Sequence, residues 1–410
     1  MKIAIKTLGC KANRFESDKI EDKLKLLGFQ IVNTTEIADF YIINTCTITH
    51  VADKKSRQII RQFRRKNNNA QIVVIGCGTK DKNNTYNELS EINHIFTKSS
   101  ELISFFKKIT PTKKGSNKTF QSRTRALVKI QDGCNNFCSY CIVPFVRGRE
   151  KFYSETEILK CVREKISRGY KEIVITGIIV GNWKREGKDF ADLLHRILKE
   201  PGLERLRLSS LEPENFNDRF LDLFNNSKFC KHLHICLQSG SDNVLKQMKR
   251  RYNVSAFKKI CKKLQKKVPN IALTTDVIVG FPGETEKDFK ETLKVCKEIG
   301  FAKIHAFKYS IRKGTIAATM QNQIPYETKL KRSKELIKIG NQLRKKFIEN
   351  HLDKELEVLF EQKNKDFYTG LTSNYIQVKV KSKKNLINQI LTVQPEKTNN
   401  DLSVTASLKS

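Results

Sequence analysis

ALVKIQDGCNNFCSYCIVPFVRGRE, residues 126–150, joins a short apolar run to a loop that carries three cysteines. ALVKI (126–130) has the length and apolar content of a buried strand. Cys134, Cys138 and Cys141 follow it, with three and then two residues between them. Three thiolates supplied by one loop hold three irons of a cubane cluster and leave the fourth iron without a protein ligand. A structural zinc site normally takes four ligands, and no fourth Cys or His lies close to this group. The open iron can chelate the amino and carboxylate groups of S-adenosylmethionine. A reduced cluster then delivers one electron into the sulfonium bond and releases a 5′-deoxyadenosyl radical. Tyr140, just before the third cysteine, is placed to pack against the adenine of that cofactor, and Phe137 can shield the cluster from water. The next cysteine, Cys161, lies in a helical pattern with Ile158, Val162 and Ile166 and reads as packing.

Outward from this loop the chain alternates strands and helices. The strand candidates are ALVKI, EIVITG (172–177), RLRLSS (205–210), HLHICLQS (232–239), IALTTDVIVG (271–280) and KIHAFKYS (303–310). Helical patterns follow them, among them SETEILKCVREKISRG, VSAFKKICKKLQKK, TEKDFKETLKVCKEIG and the charged stretch Tyr326–Asn350. Six such units imply a curved parallel sheet, a partial barrel or an open doubly wound sheet; the reading adopted is a partial (β/α)6 barrel. Function in either arrangement sits in the loops after the strands' C-terminal ends. Gly177, Gln238, Asp276, Gly280 and Glu284, with Gly283, are therefore candidate cofactor contacts alongside Tyr140. Glycines admit close backbone approach, and exposed N–H and polar groups can hold the ribose or methionine ends. GFPGE has the spacing of neither a dinucleotide fingerprint nor a P-loop, so nicotinamide and ATP gain no support.

Residues 1–100 read as a smaller parallel α/β fold in which KIAIKT, DFYIINT and QIVVIG are strands. Cys10, Cys46 and Cys77 each come just after one of these strands. Neighbouring parallel strands gather such ends on one edge. Three isolated buried cysteines are the bland alternative, but the repetition argues for a second three-thiolate cluster, whose open iron can hold sulfide or methylthiolate. Asn13 and Asn44 are near enough to orient these loops or donate hydrogen bonds, and Asn44 reads equally well as a turn residue. A weakly patterned stretch, 111–122, reads as a linker. After residue 350 the pattern changes to short β segments with polar turns, which implies a small appended β-barrel. The segments expected are 1–118, 119–350 and 351–410.

Composition agrees with soluble globular domains: of 410 residues, 39% are hydrophobic and 30% charged. Lys plus Arg total 78 against 43 Asp plus Glu, a formal charge of +35 that attracts polyanions, RNA or DNA first. No stretch approaches the roughly 18 apolar residues of a membrane span, and no apolar signal-peptide core follows the start. A cytoplasmic location is expected, with the 11 cysteines as thiols or metal ligands rather than a disulfide framework.

Over essentially its full length the sequence resembles the radical methylthiotransferase family. The matching stretches are TLGCKANRFES (7–17), NTCTITHVADKKSRQIIR (44–61), GCG (76–78) and DGCNNFCSYCIVPFVRGR (132–149), followed by RLSSLEP, HLHICLQSGSDNVLKQMKRRY, DVIVGFPGETEKDF and HAFKYSIRKGT. CKANRFES, NTCTITHVADKKSRQ and RLSSLEP resemble the branch acting on N6-threonylcarbamoyladenosine at position 37 of tRNA. The resemblance implies two 4Fe–4S clusters, held by Cys10, Cys46 and Cys77 (auxiliary) and by Cys134, Cys138 and Cys141 (radical). It also implies S-adenosylmethionine as cofactor, an RNA-binding terminal β domain of the TRAM type, and an adenine C2 methylthio product. Expected partners are a tRNA anticodon stem-loop, an electron donor and a sulfur source, with no membrane and no DNA. Lys151, Phe152 and Tyr153 stand where the family commonly has a Ser- and Arg-containing segment, and Lys308 where Pro is usual.

Arg147 and Arg149, close to the first cysteine loop, are candidate contacts for the substrate's carboxylate or for tRNA phosphates, and Lys308 and Arg312, with Lys313, form another basic strand-end group read as a candidate substrate contact. The seven histidines show no acid–base constellation in sequence, although His232 and His234 share a strand face, and no side-chain acid or base is assigned. Three other functions share part of this motif set: an isopentenyladenosine tRNA enzyme, a ribosomal-protein methylthiotransferase and a noncatalytic iron–sulfur RNA-binding protein.

Overall fold

The computed structural model describes residues 1–83, 86–110 and 124–409. The stretch 111–122, expected as a linker, lies outside the described residues. The chain divides into two compact units. One comprises residues 1–120, 132–151 and 310–318, and the other residues 121–131, 152–309 and 319–410. These units do not follow chain order as the expected segments do, because the cysteine loop and the turn at 310–318 pack with the N-terminal fold.

In the first unit, β1 (Lys2–Thr7), β2 (Gln30–Val32), β3 (Phe40–Thr45), β4 (Gln71–Gly76) and β5 (His94–Ile95) form a parallel sheet of order β2-β1-β3-β4-β5. Helices α1 (Lys11–Leu26), α2 (His50–Lys66) and α3 (Ser99–Lys108) connect and cover it. All six residues of β3 are buried, as a central strand covered on both faces requires. Successive residues point to opposite faces. Tyr41, Ile43, Ile72 and Val74 pack with Ile60 and Phe63 of α2, whereas Ile42, Val73 and Ile75 pack with Leu24 of α1 and Phe106 of α3. Thr49 caps α2 by accepting the Ala52 N–H at 3.2 Å.

The connecting stretch contains β6 (Arg125–Lys129), β7 (Gln131–Asp132), α4 (Val143–Arg147) and β8 (Lys151–Phe152). In the second unit β6 is followed by α5 (Glu155–Ser167), β9 (Glu172–Thr176), α6 (Phe190–Leu198), β10 (Arg205–Leu208), β11 (Ser210–Leu211) and α7 (Asp218–Asp222). Then come β12 (His232–Ile235), α8 (Asp242–Gln247), α9 (Val254–Lys267), β13 (Ala272–Val279), α10 (Glu286–Ile299) and β14 (Lys303–Lys308). The pairings are parallel in the orders β6-β9-β10 and β11-β12-β13-β14. β10 and β11 are two parts of one expected strand interrupted at Ser209, and a parallel bridge from Leu206 to Phe229 continues the array. The result is the expected six-strand partial barrel. α10 starts at the Thr285 cap and stops at Gly300 in the left-handed conformation, both legible in TEKDFKETLKVCKEIG.

After α11 (Ile316–Thr319) and α12 (Tyr326–Glu349), strands β15 (Leu356–Asn364), β16 (Phe367–Thr372), β17 (Gln377–Lys381), β18 (Ile390–Thr398) and β19 (Val404–Leu408) close a barrel of order β15-β16-β17-β19-β18. It joins the sheet of its unit through two buried arginines in β10. Arg205 donates to the carbonyls of Leu371 and Glu357, and Arg207 to those of Thr372 and Ser373. No helix among the described residues is long and apolar enough to cross a membrane.

Candidate iron–sulfur and cofactor site

β1, β3 and β4 are neighbours, so Cys10, Cys46 and Cys77 follow the C-terminal ends of three adjacent strands. Asn13, 1% exposed, ties these ends together. Its amide nitrogen donates to the carbonyls of Leu8 at 3.0 Å and Thr45 at 2.9 Å. Its side-chain oxygen accepts from the Cys77 thiol at 3.5 Å. Asn44 donates to the Asn13 carbonyl at 2.8 Å and to Ser17 at 2.9 Å, so both asparagines orient the loops. Gly9 has φ +92°, and a Cβ there would lie 2.7 Å from Cys46 Cβ and 2.8 Å from its sulfur. Only glycine admits that approach. Burial pushes the Cys46 thiol above its ordinary value, and pushes Cys77 to about 12, against the pull of Arg147. Such thiols become thiolates when a metal replaces the proton.

The second cysteine loop is pinned at its base. Cys134 N–H donates to Gly148 O at 3.1 Å, and Gly133 (φ +70°) leaves a Cβ only 2.1 Å from the Arg149 carbonyl. Within the loop, Asn136 N–H points at the Cys134 sulfur at 3.2 Å and Cys141 N–H donates to Cys138 O at 3.0 Å. Ile142, directly after Cys141, and Val146 of α4 pack against Cys77. Both cysteine groups therefore belong to one unit and share an apolar contact. Tyr140 is half-buried beside them, and exposed Arg149 lies 4.5 Å over the Phe137 ring.

The Arg147 side chain is 3% exposed, far more buried than a surface substrate contact. It pairs with Asp132 at 2.9 Å and Glu16 at 3.1 Å, and also donates to the Asn13 side-chain oxygen. One guanidinium thus links the second loop to the residue that organises the first cysteine group. Although burial opposes it, negative charge on Cys77 as thiolate and on the carboxylates of Glu16 and Asp132 holds its pKa above the ordinary arginine value.

In the second unit, Gly177 follows β9, and Gln131 accepts the N–H groups of Ile178 at 2.8 Å and Ile179 at 3.0 Å. Gln238 adopts φ +62° after β12; its N–H donates to Asp276 O and its carbonyl accepts from Ile278 N–H, both at 2.8 Å. Glu284 closes the GFPGE turn: its carboxylate accepts Gly280 N–H at 2.6 Å and pairs with Arg332 at 2.7 Å, and it is 2% exposed. Lys308 donates to the Tyr326 hydroxyl at 2.9 Å.

The radical SAM superfamily model matches residues 128–296, and the model described as uncharacterized protein family UPF0004 matches residues 2–97. A threonylcarbamoyladenosine tRNA methylthiotransferase of Bacillus subtilis is 37% identical over 96% of this chain and 93% of its own. One of Chlamydia pneumoniae is 38% identical over 88% and 87%. The chain belongs to the radical S-adenosylmethionine methylthiotransferase family. A tRNA-2-methylthio-N6-dimethylallyladenosine synthase of Clostridium botulinum is 36% identical over 88% of this chain and 86% of its own. Among solved structures, the radical S-adenosylmethionine methyltransferase TsrM of Kitasatospora setae, with cobalamin and an iron–sulfur cluster bound, shares the fold at TM-score 0.54 and 13% identity, over 77% of each chain.

This radical methylthiotransferase uses S-adenosylmethionine and at least one iron–sulfur cluster. The donor set fits such a cluster: three cysteines within eight residues on one loop, with the Asn136 N–H pointing at the Cys134 sulfur. The methylthiotransferase also holds a grouping that sequence reasoning missed. His234, Asp276 and His305 lie on the neighbouring strands β12, β13 and β14, with ligand atoms all within 4.8 Å. His234 Nε2 is 3.2 Å from Asp276 Oδ1, and its Nδ1 is 3.0 Å from Thr274 Oγ1. Strand register decides the grouping; the sequence singles out Asp276 as a cofactor contact and His234 for its strand face, but gives no signal for His305.

Proposed function

We propose that this methylthiotransferase converts N6-threonylcarbamoyladenosine at position 37 of tRNA into its 2-methylthio derivative. The observation that carries the reading is the gathering of two three-cysteine groups in one compact unit, with Cys77 packed on the residues that follow Cys141. One group suits a cluster that cleaves S-adenosylmethionine, and the other a second 4Fe–4S cluster that presents sulfur. The similarity to the Bacillus subtilis threonylcarbamoyladenosine enzyme over nearly the whole chain supports the choice of base.

Cys134, Cys138 and Cys141 are the proposed ligands of the radical cluster, and Cys10, Cys46 and Cys77 those of the auxiliary one. Bound, the clusters supply an electron for sulfonium cleavage and a site for the sulfur to be transferred. The protein's own residues hold and orient the reactants. Tyr140, Gly177, Gln238 and Asp276 receive S-adenosylmethionine, while Gly280 and Glu284 shape the turn beside it. Asn13 and Arg147 keep the ligand loops in register. Arg149 and Lys308 meet RNA, in keeping with the charge of +35. Segments 1–118, 119–350 and 351–410 carry the auxiliary cluster, the radical chemistry and tRNA anticodon stem-loop binding by the β-barrel, respectively. An external electron donor and sulfur source complete the reaction.

The test is mass spectrometry of nucleosides from threonylcarbamoyladenosine-containing tRNA after incubation with anaerobically reconstituted enzyme, reductant, sulfide and S-adenosylmethionine. A nucleoside in which methylthio replaces hydrogen is the expected product. Formation of 5′-deoxyadenosine without that product refutes the substrate assignment.

A further inference from the structure

Arg312 is 8% exposed, and its Nε and Nη2 have no hydrogen-bond partner among the described residues. Its backbone is anchored: Thr315 N–H and Oγ1 both donate to Arg312 O, at 3.0 and 2.7 Å. Beside it, His50 N–H donates to Ser310 Oγ at 3.0 Å. The side chain lies within electrostatic reach of Asp53, Asp81, Cys46 and Tyr86, yet burial outweighs them and lowers its pKa. Asp53 lies 3.8 Å from Arg57, and Asp81 accepts from Thr47 at 3.0 Å. A buried guanidinium that leaves two donors unmet carries a desolvation cost that a ligand can relieve.

The two vacant donors are one particular edge of the planar group. Elsewhere in this protein the same edge holds a carboxylate with two bonds. Arg207 takes Glu172 through Nε at 2.6 Å and Nη2 at 3.1 Å, and Arg163 takes Glu200 at 2.7 and 3.0 Å. Two parallel N–H groups match the two oxygens of a carboxylate better than a single-atom anion such as sulfide.

We propose that Arg312 is a carboxylate receptor of the site, its Nε/Nη2 edge taking the carboxylate of a reactant: that of the threonylcarbamoyl arm, or the methionine end of S-adenosylmethionine. The first source rests on the proposed activity; the second does not. Either assigns Arg312 to reactant binding near Cys46 rather than to general attraction of RNA.

Binding decides it without turnover. Anaerobically reconstituted full-length enzyme, wild type and Arg312→Gln, is titrated with three probes: an anticodon stem-loop bearing threonylcarbamoyladenosine, the same stem-loop with the arm's carboxylate converted to an amide, and S-adenosylmethionine. Loss of roughly ten- to hundredfold in affinity for the acid stem-loop, with the amide unaffected, identifies the substrate arm. The same loss for S-adenosylmethionine, with both stem-loops unaffected, identifies the cofactor. Unchanged affinity for all three, at wild-type iron content and thermal stability, overturns the proposal. Arg312→Lys, which keeps the charge and loses the fork, is read the same way if the Gln variant does not fold. Wild-type enzyme that binds acid and amide stem-loops equally refutes the substrate arm alone, and the S-adenosylmethionine titration still decides the role of Arg312.

Discussion

Replacing Arg207 by Met should destabilise the second unit by about 4 kcal/mol at neutral pH. Arg207 is 1% exposed and Glu172 fully buried, and two hydrogen bonds join them. Its remaining N–H groups donate to Thr372 O and Ser373 O, both at 3.0 Å. Met keeps the apolar stem but no donor, so a buried carboxylate loses its nearest cation and two carbonyls lose a partner. Breaking a fully buried pair costs about 3–5 kcal/mol. The sole tryptophan, Trp183, is 1% exposed in the core of the same unit, and its fluorescence reports unfolding in urea. With a slope near 3 kcal/mol/M the midpoint falls by about 1.3 M. Adding Glu172→Leu should restore much of the loss, since the unpaired charge rather than the missing pair carries most of it. The pH dependence has a definite sign. In the wild type burial pushes Glu172 up, but Arg207, then Arg125 and Arg205, pull it below 4.5. That contribution is present above the unfolded value and is lost as pH falls through the folded one. In the Met variant burial prevails and the carboxyl rises, so the deficit is largest at neutral pH and shrinks in acid. A loss under about 1 kcal/mol, or one that does not shrink in acid, would refute this reasoning.

Asn13→Ala removes the bonds to Leu8, Thr45 and Arg147 together and should lower iron retention under chelator challenge, while secondary structure by circular dichroism stays intact; wild-type retention would contradict its organising role. Ala at Cys10, Cys46 and Cys77 should leave reductive cleavage of S-adenosylmethionine in place and abolish methylthio transfer, whereas Ala at Cys134, Cys138 and Cys141 should abolish both; 5′-deoxyadenosine and modified nucleoside are measured in parallel. In apo-protein at neutral pH, exposed Cys10 should be alkylated before buried Cys77, whose thiol is pushed up to about 12, as peptide mass spectrometry over a time course would reveal. The reverse order would contradict the burial of the β4 end.

What the sequence determined by itself was local. The cysteine loop at 134–141, the strand–helix alternation and the cysteine after each of β1, β3 and β4 need only neighbours in the chain to be read. The β13 turn TTDVIVGFPGE and the capped α10 were legible for the same reason. The tertiary structure decided everything that depends on which distant groups meet. Arg147, a candidate substrate contact in sequence, is buried against Asn13, 134 residues away, because α4 packs with the N-terminal sheet. Glu284, a candidate cofactor contact, has its carboxylate engaged by Gly280 and Arg332. RLRLSS reads as an ordinary strand, yet Arg205 and Arg207 are its buried link to barrel carbonyls some 150 residues later. His234, Asp276 and His305 converge only through the register of three parallel strands. Periodicity encodes which face of an element is apolar; it carries no information about which polar atoms from remote elements satisfy one another in the interior, and here those pairings fix the cysteine loops, the barrel attachment and the vacant edge of Arg312.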